Sequence, residues 1–181
     1  TLIRDPYAIY ARHVLRLRPL DPLRSDPDAR LRGTILHKVL EDFVSQTKDA
    51  LPPRDAALRL LSDLTDRVLA EAAPFPAVSR LWRARMARAA GFFVDSEIAR
   101  RAIGTPLGPE IKDQWEVPGT GITLTGKADR IDRLGDGAYA IYDYKTGTPP
   151  TPEQEEFFNK QLWIEALMIG AGCFGLDAGA R

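Results

Sequence analysis

Apolar positions in the first hundred residues recur at helical spacing. Gly33-Thr34 introduces Ile35, Leu36, Val39, Leu40, Phe43 and Val44, a stripe with the period of an amphipathic helix. Pro52-Pro53 precedes a second stripe, Ala57, Leu60, Leu61, Leu64, Val68 and Leu69, which Pro74 and Pro76 are expected to end. A further helix is predicted from Arg80 to Arg101, with Trp82, Met86, Ala89, Phe93 and Ile98 as its buried face. Upstream, Asp5-Pro6-Tyr7 opens a shorter helical run through Tyr7, Tyr10, Ala11 and Val14. Asp21-Pro22 and Asp26-Pro27 place a loop behind it, because a residue before proline is pushed out of the α region. The pattern changes near Gly104. Segments 111–117, 122–132 and 138–145 are short, rich in β-branched and aromatic residues and separated by Gly-containing turns, which predicts a three-strand meander. Pro149, Pro150 and Pro152 read as a rigid loop, Thr151 and Gln154 have capping-box spacing, and a last helix is predicted from Glu153 to Ile169. The pattern is that of a single α/β domain over 1–181, mainly helical over 1–103 and β-meander plus helix over 104–181.

Size and composition narrow the class. At 181 residues and 20.1 kDa, the chain fits one domain, at most with a short appendage. It starts at Thr1 and ends on Gly179-Ala180-Arg181 without a closing element, so it is expected to be a domain of a longer protein. No apolar run approaches the roughly 20 residues of a membrane span, and the N-terminus lacks a signal-peptide layout. No membrane partner is expected. Cys173 is the only cysteine, which excludes a disulfide framework and a Cys-based zinc or iron–sulfur site within this chain. It also points to a reducing compartment, the cytoplasm. The 25 basic and 25 acidic side chains cancel, which excludes a bulk electrostatic binder of nucleic acid. The cancellation hides a division: residues 1–101 hold 18 basic and 13 acidic side chains, residues 102–181 hold 7 and 12.

The most informative stretch is Gly126-Lys127-Ala128-Asp129-Arg130-Ile131-Asp132, then Gly135-Asp136-Gly137, then Ile141-Tyr142-Asp143-Tyr144-Lys145. If the strands fold back about Asp136, Asp129 and Asp143 stand equidistant from the turn and face each other. Directly opposed residues share one face of an antiparallel pair, with Cβ atoms about 4.5–5.5 Å apart. Lys145 shares that face by strand alternation. Two adjacent carboxylates repel unless a positive group lies between them, and a hard cation such as Mg²⁺ or Mn²⁺ suits an oxygen-rich site. A lysine beside it can orient water or stabilise charge on a transferring phosphoryl group, which is the chemistry of phosphodiester hydrolysis. Alone, an Asp-x-Lys on a strand is more commonly a surface ion pair worth under about 1 kcal/mol.

These residues resemble the signatures of RecB-like PD-(D/E)XK nucleases. The segment 126–132 is similar to G-x-x-D-R-I-D, and Asp143-Tyr144-Lys145-Thr146-Gly147 to D-Y-K-T-G. Arg32-Gly33-Thr34-Ile35-Leu36-His37 resembles the family's G-T-x-x-H helix, and Gln161-Leu162-Trp163 the start of its Q-L-x-x-Y helix. Within the family, the nearest resemblance is to the nuclease domain of AddB-type helicase–nuclease subunits, whose N-terminal segment Arg4–Tyr10 resembles. The resemblance implies a restriction-endonuclease-like core with a central mixed β-sheet flanked by helices. It implies a Mg²⁺- or Mn²⁺-dependent DNA nuclease within a helicase–nuclease of double-strand break repair and recombination. Exonuclease action is part of that expectation. DNA and a helicase subunit, or helicase domains of the parent protein, are the implied partners. His37, Asp129, Asp143 and the Tyr144 carbonyl would hold the metal, Lys145 would be the catalytic lysine with Asp129 and Asp143, and Gln161 would support the site or touch DNA. By helix geometry His37 lies on the flank of the 35–44 stripe, beside Val44.

Two departures bear on the transfer. Asp5 stands where relatives with an iron–sulfur cluster carry the first cysteine, so no cluster is expected. Glu165 stands where the family has tyrosine, which puts that helix's DNA contact in question. Gly121 to Ala128 nearly matches a P-loop, but Ala128 lacks the hydroxyl and the stretch reads as a strand, so no nucleotide is expected in this chain. Among the arginines of 80–101, Arg85 and Arg88 are candidates for contact with the DNA backbone. A solvated face with local ion pairs is the alternative. A catalytically silent DNA-binding or scaffolding module is the alternative function.

Overall fold

In a computed structural model the described residues are 6–17, 29–73, 75–145 and 160–176. The loop expected at 21–27, the proline loop at 149–152, the capping box and the start of the last helix fall outside them, as do Asp5 and Pro74. Helices α1 (Pro6–Ile9), α2 (Ala29–Gln46), α3 (Arg54–Ala72) and α4 (Pro76–Ile103) precede strands β1 (Gly104–Val117), β2 (Ile122–Leu134) and β3 (Tyr139–Tyr142), and α5 (Gln161–Gly170) follows. The expected central mixed sheet is corrected: the described strands form one antiparallel sheet in the order β1-β2-β3. Consecutive strands joined by tight turns can only pair this way, because a parallel neighbour needs a crossover.

The α2 and α3 stripes bury as their periodicity requires. Val39, Phe43, Leu61, Leu64 and Leu69 meet Trp82 and Phe93 of α4 in one apolar core. Each such side chain contributes roughly 1.5–3 kcal/mol when removed from water. The opening run does not fold as expected. Its α-helix is a single turn continued by a π-helical turn (Tyr10–Val14), and Tyr7, Tyr10 and Val14 stay exposed. Pro76 begins α4 instead of ending α3, since proline's fixed φ suits the first helical turn. On α4, Ile98 is 42% exposed and Ala89 is exposed, whereas Val94 and Glu97 are buried. A buried ion pair to the sheet claims the position that apolar periodicity assigned to Ile98.

The hairpin forms in the expected register, with Arg130 opposite Tyr142 and Ile131 opposite Ile141. Gly137 supplies the positive φ of 87° at its turn, and Ala138 N–H donates to Asp136 Oδ1 at 3.0 Å. Four strand bounds differ from expectation, those at Leu134 and Tyr139 by one or two residues and the other two by more. β1 starts at Gly104, directly after α4, and the ladder of β3 ends at Tyr142, leaving Asp143–Lys145 beyond it. The 121–128 segment is a turn and strand leading further into β2, with no helix after it. Beneath β2 lies a second apolar cluster of Ile131, Met168, Ile169, Cys173 and Phe174. Gly126 admits Met168 there: a Cβ at that position would stand 2.8 Å from the Met168 sulfur. Tyr144 packs against the helical core, its ring 6.2 Å from that of Phe93. The segment following β3 is thereby pinned to both the sheet and the helices.

Candidate active site

The end of the β2–β3 hairpin meets α2 at His37. One ring nitrogen of His37, Nε2, lies 2.7 Å from the Tyr144 carbonyl, and Nδ1 lies 3.1 Å from Asp129 Oδ1. Carbonyl and carboxylate oxygens both accept, so the ring makes both bonds only with a proton on each nitrogen. The other Asp129 oxygen accepts the Tyr144 N–H at 2.9 Å. Asp143 stands near enough to Asp129 to feel its charge and takes a 2.5 Å bond from Lys145 Nζ. Strand alternation and the turn at Asp136 thus bring Asp129, Asp143 and Lys145 together, although Asp143 and Lys145 stand past the last ladder pair, and α2 adds His37, which meets the Tyr144 backbone carbonyl.

The electrostatics divide the two aspartates. Burial pushes Asp129 up, but the His37 and Tyr144 hydrogen bonds outweigh it and hold its carboxyl below the usual range. Asp143 is pushed up by burial and by the neighbouring Asp129 charge, with Lys145 opposing. His37 is raised, chiefly by its bond to Asp129, against burial. The two carboxyls are therefore pushed in opposite directions, Asp129 toward its ionised form and Asp143 away from it, with His37 favoured as the cation beside them. Among the described residues, no three His, Cys, Asp or Glu side chains stand in a ready-made cation cage. The His37 ring is turned so that both nitrogens are already bonded.

A model of the PD-(D/E)XK nuclease superfamily matches residues 1–179. The chain belongs to this superfamily. It is 33% identical over 180 residues to an uncharacterized protein of Rickettsia bellii, covering 98% of this chain and 21% of the relative. A Rickettsia typhi protein, also uncharacterized, is 32% identical over 187 residues, covering 98% of this chain and 21% of the relative. More distant is an ATP-dependent helicase/deoxyribonuclease subunit of Streptococcus pneumoniae, 29% identical over 156 residues, 79% of this chain and 14% of the relative. The chain thus spans about a fifth of the length of the first of these relatives.

The remaining expected residues of this superfamily member lie at different distances from the cluster. Gln161 begins α5 and donates from Nε2 to Glu165 Oε1 at 3.1 Å. Arg85 lines a groove with Lys145, whereas Arg88 is exposed and does not line it. Of the other arginines on α4, Arg83 binds Asp66 at 2.6 Å, and Arg100 and Arg101 lean on Glu97 at 3.5 and 3.8 Å. Local ion pairing accounts for these three. The Asp129 strand also carries Arg130, fully buried and held by Asp132 and by Glu97 of α4. Glu97 is the residue sequence reasoning missed, hidden in an arginine-rich helix. Glu165 is only 2% exposed, and its Oε2 has no hydrogen-bond partner. Burial, with the Asp143 and Asp129 charges adding, raises its carboxyl against the Gln161 bond. Its only sequence signal is the missing tyrosine. No described helix is long and apolar enough to cross a membrane.

Proposed function

We propose that this chain is the metal-dependent DNA nuclease domain of a helicase–nuclease acting in double-strand break repair and recombination, with exonucleolytic action on DNA ends. The observation that carries the reading is the convergence of Asp129, Asp143, His37, the Tyr144 carbonyl and Lys145 at one end of the hairpin. The donor set fits a hard divalent cation, since two carboxylates and a carbonyl are oxygen ligands and the buried carboxylates have charge to spare. Asp129, Asp143, the Tyr144 carbonyl and His37 would hold Mg²⁺ or Mn²⁺. Binding requires the His37 ring to give up a proton and its present bonds. The bound cation supplies stabilisation of the charge that builds on the phosphoryl oxygens. Lys145 spends one N–H on Asp143 and keeps two donors with which to orient water or meet a phosphate oxygen. Gln161 supports the site through Glu165. The parent protein's helicase domains or a helicase subunit would bring DNA to this site, in keeping with the name of the streptococcal relative.

The catalytically silent DNA-binding or scaffolding module has one observation in its favour, the engagement of both His37 nitrogens. Digestion of linear single- and double-stranded DNA with Mg²⁺ or Mn²⁺ separates the two. Cleavage that disappears in EDTA and in Asp143→Ala supports the enzyme. Cleavage unchanged in Asp143→Ala sinks it, and DNA binding with no cleavage by the wild type supports the silent module.

A further inference from the structure

Glu165 is the only charged residue of α5, and it points inward. Leu162, Trp163 and Leu167 lie on the outer side, with Trp163 72% exposed, while Glu165 is buried with Met168 and Ile169. A surface helix ordinarily does the reverse, turning its apolar side in and its charge out. The position is held from two sides. Gln161, one turn earlier, donates to Glu165 Oε1, and Met168 is seated over Gly126 of β2. Glu165 Oε2 is left over.

Three buried carboxylate oxygens lack a hydrogen bond among the described residues. Asp66 Oδ1 faces Arg83 at 2.6 Å, and Glu97 Oε2 faces Arg101 at 3.8 Å. Glu165 Oε2 has neither a hydrogen bond nor an ion pair among the described residues. A buried carboxylate oxygen in that state calls for a ligand. A proton there removes the charge but leaves a donor that needs an acceptor of its own. Lys145 can reach it only by abandoning Asp143. Asp143 and Asp129 both raise the Glu165 carboxyl and Lys145 opposes them, so Glu165 lies within the field of that cluster.

Charge and coordination point the same way. Once His37 has given up its proton, one divalent cation and Lys145 together only balance Asp129, Asp143 and Glu165. A phosphodiester anion would meet no net attraction there. Mg²⁺ is commonly bound by one or two carboxylates, with water and substrate phosphate completing its shell. Such binding needs no ready-made cage of three side chains.

We propose that Glu165 and Asp143 hold a second divalent cation, Mg²⁺ or Mn²⁺, besides the one held by His37, Asp129, Asp143 and the Tyr144 carbonyl. Asp143 is the shared ligand. This rests on the nuclease reading and adds a second ion, with Glu165 as a ligand where the family pattern has tyrosine. Two cations suit phosphodiester displacement, in which charge must be stabilised on both the attacking and the leaving oxygen.

Titration of the 181-residue chain with Mn²⁺ alone, followed by electron paramagnetic resonance, counts bound ions without cleavage. The wild type is expected to bind two Mn²⁺, the second about tenfold more weakly because it has fewer protein ligands. The filled pair should show the broadened signal of neighbouring spins. Glu165→Gln keeps an acceptor for Gln161 and should bind one Mn²⁺ without that broadening. Glu71→Gln, at an exposed carboxylate of α3, should still bind two. Circular dichroism checks that each variant folds. One ion in the wild type, or two in Glu165→Gln, overturns the second site. If Glu165 acts through charge alone, both proteins bind one ion, less tightly in the variant, and the second site is again overturned. Either of those results leaves the metal-dependent nuclease reading standing, whereas a wild type that binds no Mn²⁺ overturns both.

Discussion

Asp129 and Arg130 are consecutive residues of β2, and strand alternation sends them to opposite faces, into ionic clusters of opposite character. The Arg130 cluster is closed. Its guanidinium is fully buried, its Nε and Nη2 bind the two Asp132 oxygens, its Nη1 binds Glu97, and its Cζ lies 5.4 Å from the centre of the Tyr142 ring. Burial opposes its charge, but Asp132 and Glu97 hold it more firmly protonated than a free arginine. The Asp129 cluster is open. Asp129, Asp143 and Glu165 outnumber His37 and Lys145, whereas in the closed cluster the one Glu97 oxygen without a hydrogen bond still faces Arg101 at 3.8 Å. A closed cluster fixes geometry and has no reason to titrate. An open one keeps uncompensated charge and shifted carboxyls, which marks it as the place where a cation and substrate belong.

The closed cluster should yield the largest loss. Arg130→Ala strands Asp132 and Glu97 in the interior, and removing one partner of a buried pair costs about 3–5 kcal/mol. A lowered urea midpoint is the measurement, and a loss under about 1 kcal/mol would show the pair to be dispensable. The open cluster should instead respond to metal. Mn²⁺ at about 100 times its dissociation constant should stabilise the chain by about 2.7 kcal/mol, a gain that EDTA reverses and Asp129→Asn abolishes. A melting temperature indifferent to Mn²⁺ would remove the cation from the reading.

How far each cluster was legible follows from what its geometry depends on. Asp129 facing Asp143 depends only on alternation and a turn at Asp136-Gly137, both local, and the register came out as the sequence implied. Glu97 depends on Arg130, which is 33 residues away, so no periodicity on α4 could exchange Ile98 for it. The Glu165 departure was visible, but its burial depends on α5 seating Met168 over Gly126, a contact across the sheet. Arg32 read only as the flank of a motif, because its groove needs α4 beside α2. Local devices were readable; of the partnerships between distant elements only that of His37 with the hairpin was, and it came through the family motif, not through periodicity.

Glu165 gives a smaller effect of opposite sign to Arg130. Its carboxyl is raised by burial first and by the aspartates after, so the folded state disfavours its ionised form. A raised acid costs stability as pH climbs from its unfolded value, about 4.3, through its folded value, and the cost is complete above that. Glu165→Gln retains an acceptor for Gln161 and removes the charge. In metal-free buffer at neutral pH it should stabilise by about 1 kcal/mol, and at pH 4 by much less. Stabilisation equal at both pH values would show that charge is not the cause.

His37 gives the smallest effect and the narrowest window. Its folded value is raised, by Asp129 above all, so the protonated ring favours the fold. That contribution is fully present below the unfolded value of about 6.5 and disappears as pH rises through the folded value. With the ring still about a third exposed, the contribution is at most about 1 kcal/mol. Comparing His37→Gln with wild type in EDTA, the urea-derived stability gap should be wider at pH 5.5 than at pH 8.5. Mn²⁺ competes for the same ring, so the metal's stabilisation of the wild type should grow over that pH range, beyond what Asp143 alone would give. If the stability gap is flat while Mn²⁺ binding still strengthens with pH, the carboxyl pair and not the imidazole governs the site, and the open cluster is defined by its aspartates.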